Sequence, residues 1–370
     1  MPNRADAVAG RPAVAAPGFS GLLESWRQVV FGGNLAPGRP VDAVSRWLLI
    51  TRACVFPMTL TSGLIGGLLA ATTPAPRWGC FALALLGLVI AHATNNMIND
   101  YFDTIGGVDT EAYVRTQYAP HPLFSHLIST RGLLATIAAF NAADLAIGLA
   151  LLRIQGWPVA AFALAGLFIS VFYVAPPLKL KHHGLGEPGV FLVWGPLMTG
   201  GTYFVTAGSI PAWVWLASVP YALSVTTVLI GKHIDKYEQD RERGIHTLPV
   251  LLGKDVSLRL NKILMVAFYV TVAALVVSAE VGVGVLLVAA AIPRLRQVLK
   301  AYSEPKPAAP PPGYHLWPLW YVSAAFYHGR LAGGLFVVGL VLRPRTRCAT
   351  MLRCTSLVPP AIVMARSNRN

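Results

Sequence analysis

An all-α membrane protein, nine transmembrane helices in a single bundle, is the fold predicted for these 370 residues, and three observations predict it. Hydrophobic residues make up 55% of the chain and charged residues 12%, with a mean hydropathy of +0.56; a soluble domain carries about a quarter charged residues. The apolar residues gather into runs long enough to cross about 30 Å of hydrocarbon. Those runs are too long and too uniformly apolar for barrel strands, and irregular backbone cannot face lipid, so each predicts a helix.

The elements follow in order. Residues 1–45 form a cytosolic leader, partly disordered, with no cleavage pattern of a removable signal peptide; Leu22 to Val30 is amphipathic and can lie on the membrane surface until Pro37 and Pro40 end it. Crossings are predicted at 50–71, 79–99, 132–152, 157–175, 189–207, 211–230, 262–279, 281–297 and 319–342. Only Ser278 to Val281 separates the seventh from the eighth, with Glu280 marking the turn. The pairs Gly63 with Gly67 and Gly329 with Gly333 permit close helix approach. Trp157, Trp213, Trp215, Trp317 and Trp320 stand at run ends, as interfacial aromatics do. Five prolines between Pro305 and Pro312 make a stiff connector, and the basic stretch 343–370 is read as a disordered tail. The transmembrane domain proper is therefore 46–342.

Charge orients the bundle. With the N-terminus inside, the basic residues Arg46, Arg52, Arg115, Arg131, Lys179 and Lys181, and those from Lys232 to Lys262, collect in cytosolic segments, while the opposite loops hold only Arg77 and Arg153. The net charge of +14 is then mainly a topology signal with some attraction to anionic membrane lipid, and it does not indicate nucleic-acid binding. Cys54, Cys80, Cys348 and Cys354 match neither a disulfide framework nor a zinc site. Nothing in the sequence specifies an oligomeric state.

Eight of the sixteen carboxylates sit in two windows, Asp100 to Glu111 and Asp235 to Glu242, each directly after an apolar run and both on the cytosolic side. Acids at the mouths of membrane helices are costly without a function, and binding divalent cations for a phosphorylated substrate is one. Asn96, Asp100 and Asp103, spaced i, i+4 and i+7, share a helix face, and Gly106-Gly107 lets the chain turn and return Asp109 toward it. In the second window Asp235 and Glu238 share a face, while Asp240 lies half a turn away unless the helix ends or bends. Such clusters suit Mg²⁺, which keeps several waters and bridges carboxylates to substrate phosphates. Arg115, Lys179, Lys181, Lys232 and Lys236 are positioned to grip phosphate oxygens.

These residues also carry a family likeness. Asn99-Asp100-Tyr101-Phe102-Asp103 with Gly107 and Asp109 resembles the first Asp-rich motif of the UbiA superfamily of intramembrane aromatic prenyltransferases, in particular its 1,4-dihydroxy-2-naphthoate polyprenyltransferase branch in menaquinone biosynthesis. Leu185-Gly186-Glu187, with Phe191, Gly195 and the run from Gly201 to Val205, resembles the fifth-helix signature; Asp240-Arg241 with Gly244 and the run from Thr247 to Gly253 resembles the end of the second motif. The likeness spans about Arg52 to Leu342.

The resemblance implies Mg²⁺-dependent transfer of a polyprenyl group from its diphosphate to an aromatic ring, in a lipid-facing hydrophobic cavity, in a multi-pass protein of a bacterial cell membrane with its site on the cytosolic side. It implies metal binding by Asp100, Asp103, Asp109, Asp235 and Asp240, substrate contacts from Asn96, Asn99, Arg115, Lys179, Lys181, Glu187, Lys232 and His233, and a cation-stabilising role for Tyr173. The second motif departs from the family pattern: its aspartates, Asp235 and Asp240, stand five apart instead of four, preceded by Gly231-Lys232-His233-Ile234. Other acceptors, such as 4-hydroxybenzoate, homogentisate or a sugar phosphate, stay open. The reading from another class is a transporter, which would bury ionisable groups near the membrane midplane; Asp144 is the only acid well inside an apolar run.

Overall fold

The computed structural model describes residues 18–342 apart from Pro37, Ala112, Tyr113, Gly313 and His315, so the start of the leader and the basic tail lie outside the described residues. The chain is an all-α, multi-pass membrane bundle. Two short helices come first, α1 (Phe19–Gly32) and α2 (Ala43–Ile50). They lead into α3 (Phe56–Ala70), α4 (Trp78–Ile105), α5 (Thr130–Gln155), α6 (Pro158–Phe172) and α7 (Gly186–Ala207). The chain continues through α8 (Ala212–Asp235), α9 (Lys254–Val277), α10 (Ile292–Ala301) and α11 (Tyr321–Val341).

Every predicted run is helical, but the nine are not alike. Seven are long and apolar enough to cross a membrane, whereas α6 has only 15 residues. The eighth run is divided between a nine-residue 3₁₀ helix, Val283–Ala291, and α10. Its buried residues Val285, Val288 and Ala291 recur every third position, the period at which 3₁₀ side chains eclipse, so the tighter helix keeps one apolar stripe inward. At about 2.0 Å per 3₁₀ residue and 1.5 Å per α residue, these 19 residues extend over roughly 33 Å. The turn before it is made at Ala279, with φ +57°, beside Glu280.

Glycines set the tightest packing. A Cβ on Gly67 would lie 2.3 Å from the Phe81 ring, and one on Gly333 would lie 2.3 Å from Tyr221. Around these approaches Ile65, Tyr221, Phe268 and Phe336 form the largest apolar core. Helix α7 accommodates Pro196 by widening into a π segment, Val193–Gly200, and within that segment the Trp194 carbonyl accepts the Ser62 hydroxyl at 2.6 Å.

Length decides where the acids emerge. At about 1.5 Å per residue, the 28 residues of α4 extend roughly 42 Å, some 12 Å more than the hydrocarbon thickness, so the last two turns, from about Ile98 onward, stand clear of it. The leader helix does more than rest on a surface. Val29 of α1 is buried and Trp26 donates to Asp42 at 2.9 Å, which in turn caps α2; α1 thereby closes one edge of the bundle.

Candidate active site

The site begins at the end of α4. Asn96 donates to the Thr51 carbonyl at 3.0 Å and pins the helix to the chain reversal at Arg52, whose φ of +54° lies in the left-handed region. That reversal aims the Arg52 guanidinium at the fully buried Asp100. Arg52 Nε is 3.3 Å from Oδ2, and Nη2 bonds Oδ1. Arg115 Nε lies 3.4 Å and His121 Nε2 3.5 Å from the same Oδ1.

Beyond α4, Gly107 takes φ +70°, and the Val108 and Asp109 amides donate to the Asp103 carbonyl at 2.8 and 2.9 Å. The turn carries Asp109 back until its Oδ2 is 3.4 Å from His121 Nε2. Burial works against the Asp109 carboxylate, yet the His121 hydrogen bond leaves its pKa below the ordinary value. One oxygen each from Asp100 and Asp109 and one ring nitrogen of His121 lie within 4.8 Å of one another, all buried. Two hard carboxylate oxygens with an imidazole make a donor set that fits a divalent cation, which would share Asp100 with Arg52.

The second window is shaped by a break. Helix α8 stops at Asp235, Lys236 leaves helical geometry at φ −104° and ψ 8°, and helix resumes over Tyr237–Glu242. The bend rotates Asp240 inward, where it is buried with Lys236 Nζ 3.5 Å from Oδ1. Lys181 joins the two windows: its Nζ lies 2.8 Å from both oxygens of Asp103. Burial pushes the Lys181 pKa down, but the charges of Asp103, Asp240 and Asp109 outweigh it and hold the ammonium above the ordinary lysine value. For Lys236 the balance reverses, and burial leaves its pKa lowered.

This polar cleft, lined by Asp103, Asp109, Lys181, His233 and Lys236 among others, adjoins a cavity of about 1000 Å³ whose walls are mostly apolar. Arg52, Asn99, Arg115, Tyr118, Tyr173 and Lys232 line both, forming a seam between a charged compartment and a greasy one. Asn99 Oδ1 is buried there without a hydrogen-bond partner among the described residues. The Tyr173 ring reaches the seam because Gly186 has no side chain: a Cβ would sit 3.0 Å from Tyr173 Cε2.

Of the residues singled out from the sequence, Asn96, Asn99, Asp100, Asp103, Asp109, Arg115, Tyr173, Lys181, Lys232, His233 and Asp240 gather in or beside this cleft. Glu187 stands one layer back and is buried, 2.6 Å from His233 Nδ1. Two expectations need correction. Asp235 is not brought to the cleft; it ends α8 on the face toward the start of α11, where its Oδ2 accepts the Val322 amide at 2.9 Å and its Oδ1 lies 3.3 Å from Lys306. Lys179 lines neither compartment, its backbone being held in a left-handed turn at φ +41°. Sequence reasoning missed Arg52 as a site residue, and missed Tyr118 and His121 altogether; the flanking Pro120 and Pro122 were the available sign that His121 is held rigidly.

The profile of the UbiA prenyltransferase family matches residues 59–311, well over half of the chain. The chain belongs to that family. This UbiA-family prenyltransferase is 26% identical over 273 residues to the 2-carboxy-1,4-naphthoquinone phytyltransferase of Synechocystis sp., covering 72% of this chain and 85% of the relative. It is 23% identical over 272 residues to the 1,4-dihydroxy-2-naphthoate octaprenyltransferase of Bacillus subtilis (strain 168), covering 74% and 86%. Its fold resembles that of a UbiA homolog from Aeropyrum pernix K1 in its apo form, with a TM-score of 0.60, 19% identity, and 78% of this chain and 97% of that one covered. It also resembles that of a UbiA homolog from Archaeoglobus fulgidus bound to GPP and Mg²⁺, with a TM-score of 0.52, 18% identity, and 79% and 100% covered.

Proposed function

We propose that this prenyltransferase uses Mg²⁺ and a polyprenyl diphosphate to alkylate an aromatic acceptor, 1,4-dihydroxy-2-naphthoate or a related quinone precursor. The observation that carries the reading is the seam: Asp103 and Asp109 of the first window meet Lys181, Lys232 and Lys236 in a polar cleft that adjoins a large apolar cavity. A diphosphate and its isoprenoid chain need those two environments side by side. The naphthalene ring in the names of both relatives supports the choice of acceptor.

In this reading Asp100 and Asp109, with His121, hold one cation, while Asp103 and Asp240 form the second acidic group. Bound Mg²⁺ would neutralise the diphosphate and make it a better leaving group. Arg52, Arg115 and Lys232 at the seam orient the phosphate oxygens. The bond between the prenyl C1 and the diphosphate oxygen breaks, its electron pair leaving with the diphosphate. A ring carbon of the acceptor then bonds C1, and the ring regains aromaticity by losing CO₂ from a carboxylated position or a proton from an unsubstituted one. Tyr173 presents its π face to the cationic carbon, and the apolar walls keep water from it. We place the site on the cytosolic face of a bacterial cell membrane, with nine crossings, from the distribution of basic residues.

An acceptor panel tests this. Purified protein is incubated with Mg²⁺, labelled prenyl diphosphates and, in separate reactions, the naphthoate, 4-hydroxybenzoate, homogentisate and a sugar phosphate, and product masses are measured. The naphthoate reaction is expected to yield a prenylated ring with CO₂ lost. Transfer to one of the other acceptors alone would replace the naphthoate assignment, and transfer to none would remove the proposal.

A further inference from the structure

The cavity wall carries one acid the proposed chemistry does not use. Asp144 sits near the middle of α5, inside a transmembrane run, and lines the cavity together with Asn141 one turn away. Its Oδ1 is buried and has no hydrogen-bond partner among the described residues. Its neighbour across the wall is Gly87 of α4, where a Cβ would lie 3.5 Å from that oxygen. An ionisable group at such depth is costly, so its presence on the wall of a ligand cavity points to a role in selecting what the cavity holds.

The depth of Asp144 follows from α4. Asn99, at the seam, and Gly87 are twelve residues apart on one helix, which places Asp144 about 18 Å below the diphosphate cleft. An isoprene unit has four backbone carbons and extends about 5 Å, so a chain leaving the seam reaches Asp144 after roughly four units. The cavity continues past that level to Leu152, Val159 and Val205. A longer chain that stays inside must therefore lie against Asp144 and strip water from the part of its half-buried carboxyl group that lines the cavity.

We infer that Asp144 is a specificity-determining residue that limits the donor to isoprenoid chains of about four units or fewer. The inference rests on the proposed function for the identity of the ligand. Desolvating the cavity-facing part of that carboxyl group costs enough to weaken binding of a longer chain by roughly tenfold.

The test measures binding rather than turnover. Unreactive thiolodiphosphate analogues of geranyl, farnesyl, geranylgeranyl and octaprenyl chains are titrated with Mg²⁺ into wild-type, Asp144→Leu and Asp144→Asn protein, following tryptophan fluorescence. Wild type is expected to bind more tightly up to the geranylgeranyl analogue and about tenfold more weakly with the octaprenyl one. Asp144→Leu is expected to lose that drop, and Asp144→Asn, still polar, to keep it. Equal or tighter wild-type binding of the octaprenyl analogue, or the same profile in Asp144→Leu, overturns the inference. The expected length profile without prenylation of any acceptor would leave this inference standing and remove the proposed reaction instead.

Discussion

Lys181 and Asp103, separated by 78 residues in sequence, form a two-pronged ion pair in which Nζ is 2.8 Å from each carboxylate oxygen, and both side chains are largely buried. The pair fastens the loop after α6 to the end of α4. It also places the ammonium where the charge of Asp240 adds to that of Asp103, so one cation is shared between the two acidic windows.

Removing that cation has two consequences. Lys181→Met leaves the buried Asp103 without its partner and is expected to lower stability by about 3 kcal/mol. If Lys181 also grips the donor diphosphate, the same substitution is expected to raise KM for the prenyl diphosphate by about tenfold or more. Thermal unfolding in detergent and initial rates against donor concentration measure the two effects. Unchanged values of both would show that the pair holds nothing in place.

The two windows differ in what their aspartates do, and substitution separates them. Asp100→Asn and Asp240→Asn are expected to reduce Mg²⁺-dependent turnover by about a thousandfold with the fold retained. Asp235→Asn instead loosens the junction with Lys306 and Val322, with an expected loss of about 2 kcal/mol in stability and Mg²⁺ dependence close to wild type. A rightward shift of the Mg²⁺ activation curve in Asp235→Asn would return that residue to the metal site.

His121 bridges Asp100 and Asp109 from a position no motif marks. If its ring nitrogen completes the first cation site, His121→Ala raises the Mg²⁺ concentration giving half-maximal rate by about 10 to 100-fold, while the rate at saturating Mg²⁺ recovers most of its value. Chelation with EDTA followed by Mg²⁺ titration measures this directly. Equal midpoints for variant and wild type would confine His121 to a structural hydrogen bond.

Helix content and the first acidic window were legible because both depend on local spacing. The apolar runs mark the helices, and Asn96, Asp100, Asp103 and the Gly106-Gly107 turn lie close enough in sequence for helical geometry to place them. The second window was harder. Whether Asp240 turns inward depends on the break at Lys236, and nothing in the local pattern fixes a break there. Arg52 and His121 were missed for a different reason: their partners are 48 residues away in one case and 12 or more in the other, and only the tertiary fold, which packs α3 on α4 and folds the segment after α4 back over its end, brings them together. The eighth run was predicted as an ordinary helix because an apolar stretch such as 283–291 fits an α or a 3₁₀ helix equally well.

Gly186 and Tyr173 link the fifth-helix signature to the reaction. The Tyr173 ring lies at the seam, and the absence of a side chain at Gly186 is what leaves it room. Gly186→Ala would place a methyl 3.0 Å from Cε2 and 3.4 Å from the backbone of Lys181, so the ring must yield or the loop must move. Turnover is expected to fall with little change in overall stability, since the displaced group is a single ring at a cavity edge. Tyr173→Phe preserves the π face and is expected to keep kcat within a few-fold of wild type. Tyr173→Leu removes that face and is expected to lower kcat by about tenfold, the size of a desolvated cation–π contact, with donor KM little changed because the diphosphate ligands are untouched. A Tyr173→Phe variant as impaired as Tyr173→Leu would show that the hydroxyl, and not the ring face, does the work.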